Sequence, residues 1–229
     1  APGQKKMTVD NPFDETGAQE TIPLEPEYSL IRNSQLYFKK YNRMKTRLSI
    51  GQEKLDECRM KLDYLRNAAY FADTVNDRKG LLALMEELKD TGIDRYGPQE
   101  KKKKKRDISA DEPALYALGG FRVWVGRNSR QNEFLTLHKA DRNDLWLHAQ
   151  KIPGSHVVIE TNGTAVPADV VETAAAWAAW LSRGRESGRV AVDVTRVRYV
   201  KKIKNAPPGL VSYTHQKTLV ISPADPDAK

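Results

Sequence analysis

Residues 29–70 contain no proline and repeat their seam residues in an unbroken heptad. One seam position reads Ser34, Tyr41, Leu48, Leu55, Leu62, Ala69, and the other reads Leu30, Tyr37, Met44, Gly51, Cys58, Leu65. Alternating steps of three and four hold these side chains on one stripe of a helix, the condition for a coiled-coil seam. The spacing predicts a single helix on the order of 60 Å long. Gly51 and Cys58 weaken the middle of the seam without breaking it. A second helical candidate covers residues 77–90, with Leu81, Leu84, Met85 and Leu88 on an apolar face. Its length, about four turns, is enough to cover the end near Leu62 and Leu65 but not the start. The stripe from Leu30 to Leu55 is therefore expected to dimerise or to meet a helix from a missing N-terminal portion. A chain that opens on Ala1 without a methionine fits a fragment.

The rest of the chain separates by pattern. Residues 1–28 carry Pro2, Pro12, Pro23 and Pro26 and no helical period, which predicts an extended, partly disordered lead-in. The helical arm is expected over 29–96, followed by a basic linker over 97–106. From 107 to 229 the periodicity becomes alternating, and the expected class is α+β: a compact domain with a mixed β-sheet and two or more helices. Gly119-Gly120 is a hairpin turn between strands at 114–118 and 122–125. A short helix is expected over 129–138. Strands at 145–149 and 156–160 are joined through Pro153-Gly154, and Pro167 suits the first turn of an alanine-rich helix. That helix carries Trp177 and Trp180, which read as core. A strand at 190–200 and two more at 210–213 and 218–221 complete the pattern.

Charge is unevenly placed. Residues 1–100 hold 16 Lys and Arg against 17 Asp and Glu, so the net +8 arises from the run Lys101 to Arg106 and from the C-terminal half. That distribution points to a polyanionic partner, with nucleic acid first; the lysine run taken alone is equally a solvated linker. The single cysteine, Cys58, cannot form an internal disulfide and fits a reducing, cytoplasmic compartment. No apolar stretch approaches the roughly 20 residues that span a bilayer, so no membrane partner is expected.

Three constellations could carry chemistry. In Asp144-Leu145-Trp146-Leu147-His148-Ala149, alternation places Asp144, Trp146 and His148 on one strand face. Pro153-Gly154-Ser155-His156 follows closely. An acid, two histidines and a serine could form a nucleophile triad or a metal site. No nucleophile elbow surrounds Ser155, however, and no ligand spacing appears. A polar cluster without metal, cofactor or turnover is the expectation. Gly126-Arg127-Asn128-Ser129-Arg130-Gln131-Asn132 enters a helix and suits either an anion or an asparagine-capped turn. Finally, Arg196, Arg198, Lys201, Lys202 and Lys204 follow a slip in the apolar phase near Thr195, which predicts a bulge or a strand leaving the sheet at its edge. The favoured reading is contact with a nucleic-acid backbone, with Arg127, Asn128 and Arg130 as further candidates; the alternative is a guarded sheet edge.

These segments resemble the RqcH/NEMF/fibronectin-binding protein A (NFACT) family, its coiled-coil arm and NFACT-R domain. The resemblance rests on Gly126-Arg127-Asn128 with Gln131-Asn132, on Asp144-x-Trp146-x-His148, and on Pro153-Gly154-Ser155-His156. Lys201-Lys202, Pro208-Gly209, Tyr213 and an upstream Tyr37-Phe38-Lys39-Lys40-Tyr41-Asn42 add to it. Pro207 stands where the family pattern has a basic residue. The resemblance implies a non-enzymatic module that binds obstructed large ribosomal subunits and tRNA in support of C-terminal alanine tailing of stalled chains. The partners so implied are large-subunit RNA, tRNA and the missing N-terminal half of the same protein. An adhesin-like module for fibronectin is the alternative, and a hydrolase centred on Ser155 and His156 is the third reading.

Overall fold

The computed structural model describes residues 3–91 and 112–228. The chain divides into two compact units, Ala1–Asp56 and Glu57–Lys229. Residues 92–111, with the linker expected at 97–106 and its lysine run, lie outside the described residues.

In the first unit the proline-rich lead-in is extended, and its strands are paired. Strands β1 (Lys6–Asp10) and β2 (Gln19–Pro23) form an antiparallel hairpin with Lys6 opposite Pro23. Pro23 ends β2, where its missing N–H costs no ladder bond. Helix α1 (Leu30–Thr74) begins at Ser29, whose Oγ accepts the N–H of Arg32 at 3.2 Å. Asn33 pins this start: buried, it accepts the Glu25 N–H at 2.8 Å and donates to the Glu25, Tyr28 and Ser29 carbonyls. The seam side chains Leu30, Tyr37, Tyr41, Met44, Leu48 and Leu55 are exposed, and among the described residues no second helix of that length lies along them.

In the second unit the end of α1 meets α2 (Arg78–Asp90) through a different face from the one the heptad nominates. Leu62 and Leu65 stay exposed, while Ala68 and Phe71 pack on Leu84, with Tyr70 and Leu88 beside them. Leu81 and Met85 face solvent too. The reason is a buried polar bond: Tyr64 Oη donates to Glu87 Oε1 at 2.9 Å, and both side chains are fully buried. Satisfying that carboxylate fixes the rotation of both helices.

The α+β class holds for the following domain. Six strands lie in the order β10-β7-β5-β6-β4-β3. They are β3 (Ala114–Leu118), β4 (Phe121–Val125), β5 (Leu145–Ala149), β6 (Val157–Ile159), β7 (Val190–Arg196) and β10 (Lys217–Ile221). The sheet expected as mixed pairs antiparallel throughout. Parallel relations survive only across an intervening strand. β4 and β5 straddle β6, joined through α3 (Ser129–Phe134) and a π-helical turn (Leu135–Lys139). β6 and β7 straddle β5, joined through α4 (Ala168–Trp180). Both crossovers step in the same lateral direction from oppositely running strands, so right-handed connections must place them on opposite faces. They do. Val170, Ala174, Ala175, Trp177 and Ala178 of α4 pack on Val123, Leu147, Val157 and Val192. Leu135 packs with Trp124, Trp146 and Val158 on the other face. Gly119 and Gly120, at φ 56° and 83°, make the β3–β4 turn.

The phase slip near Thr195 marks a departure from the sheet. β7 lies between β10 and β5, so it is an interior strand, and the expectation that its cations line a sheet edge is corrected. After Arg196 a 3₁₀ turn (Val197–Tyr199) leads into β8 (Val200–Lys202), which pairs with β9 (Val211–Tyr213) in a separate hairpin. Val197, on that turn, and Val200, the first residue of β8, both enter the core beside Trp146.

Candidate nucleic-acid interface

The glycine-arginine-asparagine segment is a clamp. Asn128 caps α3 by accepting the Gln131 N–H at 2.8 Å, and Gln131 Oε1 accepts the Arg127 N–H at 2.8 Å. Asn132 Oδ1 accepts the His156 N–H at 2.9 Å, while its Nδ2 donates to the Gly154 carbonyl at 3.2 Å. Gly126 donates its N–H to the His156 carbonyl at 3.0 Å. A Cβ on Gly126 would lie 2.2 Å from Asn132 Oδ1, so only glycine fits. Asn132 and the Gly126 backbone thus hold the Pro153-Gly154-Ser155-His156 loop, while Asn128 and Gln131 fix the turn into α3. Asn67 of α1 adds a further bond, accepting the Gly154 N–H at 3.2 Å.

Of the candidate cations in this segment, Arg127 is exposed and Arg130 is engaged. The Arg130 guanidinium pairs with Asp90 and bonds the Glu86 carbonyl at 3.4 Å, and its backbone N–H bonds Glu87 Oε2 at 3.1 Å. Burial raises the Glu87 carboxyl above its usual range, and the Arg130 and Tyr64 donors offset part of that.

Strand alternation brings Trp146 and His148 together, and His156 joins them. Trp146 and His148 stack at 5.7 Å between ring centroids, and His156 meets both edge-on at 5.1 and 5.2 Å. Asp144 is not part of this group. It is buried at the start of β5, where it accepts the Thr161 N–H and the Asp141 N–H, each at 2.8 Å, and so fastens two loops. Ser155 and His156 do not form a relay: the imidazole Nδ1 lies 2.8 Å from Thr136 Oγ1, and the Ser155 backbone bonds Leu181. Burial lowers the His148 pKa to about 4, offset in part by the Gly154 backbone and Asp193. Burial, and then the neighbouring His148, push His156 well below 6.5. Both rings are neutral at pH 7.

The carboxylate of this site is Asp193, which the sequence marks only as a charge. It lies opposite His148 in the β5–β7 register and is buried. Gln150 Nε2, Tyr213 Oη and Thr218 Oγ1 all donate to it, at 3.0, 2.8 and 2.5 Å. Tyr213 packs on Trp146 at 4.8 Å, and burial next to Asp193 raises its phenol above the usual value. No local signal marks Asp193, because its role depends on pairing with distant residues.

Trp146, His148, His156 and Tyr213 form the wall of a cavity of about 530 Å³, which also includes Pro153, Gly209 and the exposed cations Arg66, Lys151 and Arg183. Arg66 reaches Asp63 at 3.4 Å on the same rim. The five C-terminal cations lie outside the cavity. Arg196, Arg198, Lys201, Lys202 and Lys204 are exposed along the 3₁₀ turn and the β8–β9 hairpin. Arg196 and Arg198 each reach Asn143 at 3.3 Å, and Lys202 pairs with Glu133 at 2.8 Å. Among the described residues no three His, Cys, Asp or Glu side chains gather as metal ligands, and no helix is long and apolar enough to cross a membrane.

Known proteins resemble this chain over most of its length. A family model described as NFACT N-terminal and middle domains matches residues 1–107, and one described as the NFACT protein RNA binding domain matches residues 116–215. The Rqc2 homolog RqcH of Bacillus subtilis is 34% identical over 221 residues, covering 96% of this chain and 38% of that protein. RqcH of Streptococcus pneumoniae serotype 2 is 37% identical over 224 residues, covering 96% and 39%. The chain thus spans about two fifths of the length of the curated relatives it matches. Among solved structures, the C-terminal part of the fibronectin/fibrinogen-binding protein from Streptococcus suis superposes with a TM-score of 0.74 at 33% identity. That likeness covers 85% of this chain and 77% of the other.

Proposed function

The chain belongs to the NFACT family, and on that premise we propose that it is an RNA- and ribosome-binding module without catalytic activity of its own, working within a ribosome quality control factor. In this reading the whole protein engages obstructed large subunits and tRNA in the cytoplasm and supports C-terminal alanine tailing of stalled chains. One observation carries it most. The residues matched by the RNA-binding family model include the exposed cations Arg198, Lys201 and Lys204, gathered on a turn and hairpin that contribute little to the main sheet. Lysines on such a surface attract phosphate without a structural duty to surrender.

The test is a salt titration of RNA affinity. Removing a cation that neutralises one phosphate should reduce the slope of log affinity against log salt by about 0.7 to 0.9. Arg198→Ala, Lys201→Ala and Lys204→Ala together should flatten it by about two units while the fold survives. An unchanged slope in the folded triple variant would move the RNA-binding surface elsewhere. The name of the Streptococcus suis neighbour supports a second reading, a fibronectin-binding surface. Saturable fibronectin binding that ignores salt and persists in the triple variant would favour it.

A further inference from the structure

We propose that the cavity beside β9 receives one unstacked nucleobase of an RNA strand, with the flanking phosphates on Arg66, Lys151 and Arg183. This rests on the RNA-binding reading and names what the module takes in. At about 530 Å³ the cavity falls within the size range of small-ligand sites. Its wall is aromatic and uncharged. Trp146, His148, His156 and Tyr213 are linked by ring contacts of 4.8 to 5.7 Å between centroids, and desolvation keeps both imidazoles neutral. A carboxylate or a free phosphate would engage only the exposed lining cations Arg66, Lys151 and Arg183, beside Asp63, and leave the aromatic side unused. An acyl chain would leave the polar groups unused. A planar, neutral group rich in donors and acceptors, with an anion attached outside, matches both halves of the cavity; that is a nucleotide.

The small hairpin points the same way. β9 supplies Val211 and Tyr213 to the cavity, and its partner β8 places Lys202 opposite Val211 and Lys201 opposite Ser212. A backbone running along the basic hairpin therefore passes the cavity. Bases inside a duplex cannot enter, so the preferred strand is single or locally opened.

The experiment titrates the 229-residue chain with a short single-stranded RNA, the duplex of the same sequence, each ribonucleoside monophosphate, and inorganic phosphate. The imidazole NMR signals of His148 and His156 report occupancy. Single-stranded RNA should bind at least about tenfold tighter than duplex and shift both imidazoles. Arg66→Ala with Arg183→Ala should weaken the single strand at least about fivefold and leave duplex binding unchanged. Lys151→Asn is the companion variant, because Lys151 has φ 57°, a conformation asparagine tolerates. Single-stranded binding with silent imidazoles, or unaffected by these rim variants, overturns the pocket while the RNA-binding reading stands. Failure of both RNA forms to bind overturns that reading itself. Tight mononucleotide binding without strand binding also overturns the proposal, in favour of a free nucleotide. Phosphate that alone reproduces the shifts removes the base from it.

Discussion

Asn132 Oδ1 accepts the backbone N–H of His156 at 2.9 Å across an interval of 24 residues, and this bond joins two motifs that look independent in the sequence. Replacing Asn132 by alanine strands that N–H in a buried place, while the Gly154 carbonyl keeps the His148 imidazole as a partner. We expect a loss of about 1–3 kcal/mol in urea unfolding, from the one orphaned group. Gly126→Ala should cost about 1–3 kcal/mol by overpacking, since its Cβ would meet the same Oδ1. A wild-type midpoint in either variant would show that the loop is held by something else.

Arg130 is expected to behave unlike its neighbours in charge. Its ion pair with Asp90 is half exposed on the Asp90 side, so Arg130→Ala should cost about 1 kcal/mol or less. The salt slope of RNA binding should not change. A drop in that slope, measured beside the Lys201 and Lys204 variants, would return Arg130 to the RNA-binding surface.

Tyr64→Phe removes the hydroxyl that donates to Glu87 Oε1 and should destabilise the α1–α2 contact by about 1–3 kcal/mol. Hydrogen exchange would register this as faster exchange in α2 than in the β5–β7 strands. Uniform acceleration would mean that the helices and the sheet open as one unit.

Acidification should destabilise the domain through its histidines. Unfolded, each titrates near 6.5; folded, His148 titrates near 4 and His156 well below 6.5. Between those values the unfolded chain holds more protons, so the stability present above pH 6.5 is lost as pH falls towards 4. For His148 the loss is of order 3 kcal/mol. Glu87, raised by burial, works in the opposite sense and gains stability as it protonates. The clean reading is therefore a difference: His148→Asn should show a shallower fall between pH 7 and 4.5 than the wild type. Parallel curves would sink the assignment of a neutral His148.

Much of the fold was legible because local rules governed it. The proline-free heptad marked α1, Gly119-Gly120 marked the β3–β4 hairpin, and alternation put Trp146 and His148 on one face. The phase slip at Thr195 was real, but its cause was not, because whether β7 is an edge or an interior strand depends on β10, which arrives about twenty residues later. The α2 docking face differs from the apolar stripe for a similar reason: a buried Tyr64–Glu87 bond outweighs that stripe, and glutamate in a helix reads as solvent-facing. In the site, Asn128, a sequence candidate for nucleic-acid contact, is buried as the cap of α3, and Gln131 and Asn132 make internal bonds, while Asp193, Lys151 and Arg183 carry no local signal of their place. A cavity gathers residues by tertiary approach, and spacing along one strand carries no record of that.

The inward use of Asn128, Gln131 and Asn132 has a consequence for how such a module can change over time. The atoms that secure the loop and the atoms that offer positive charge belong to different side chains, on different elements. Lys201 and Lys204 can be gained, lost or moved along the hairpin with hardly any penalty to folding. The frame, by contrast, admits almost no substitution at Gly126 or Asn132. On the RNA-binding reading proposed above, drift in affinity and persistence of architecture are thereby decoupled, and one scaffold could be retuned to new surfaces by single exchanges at its margin.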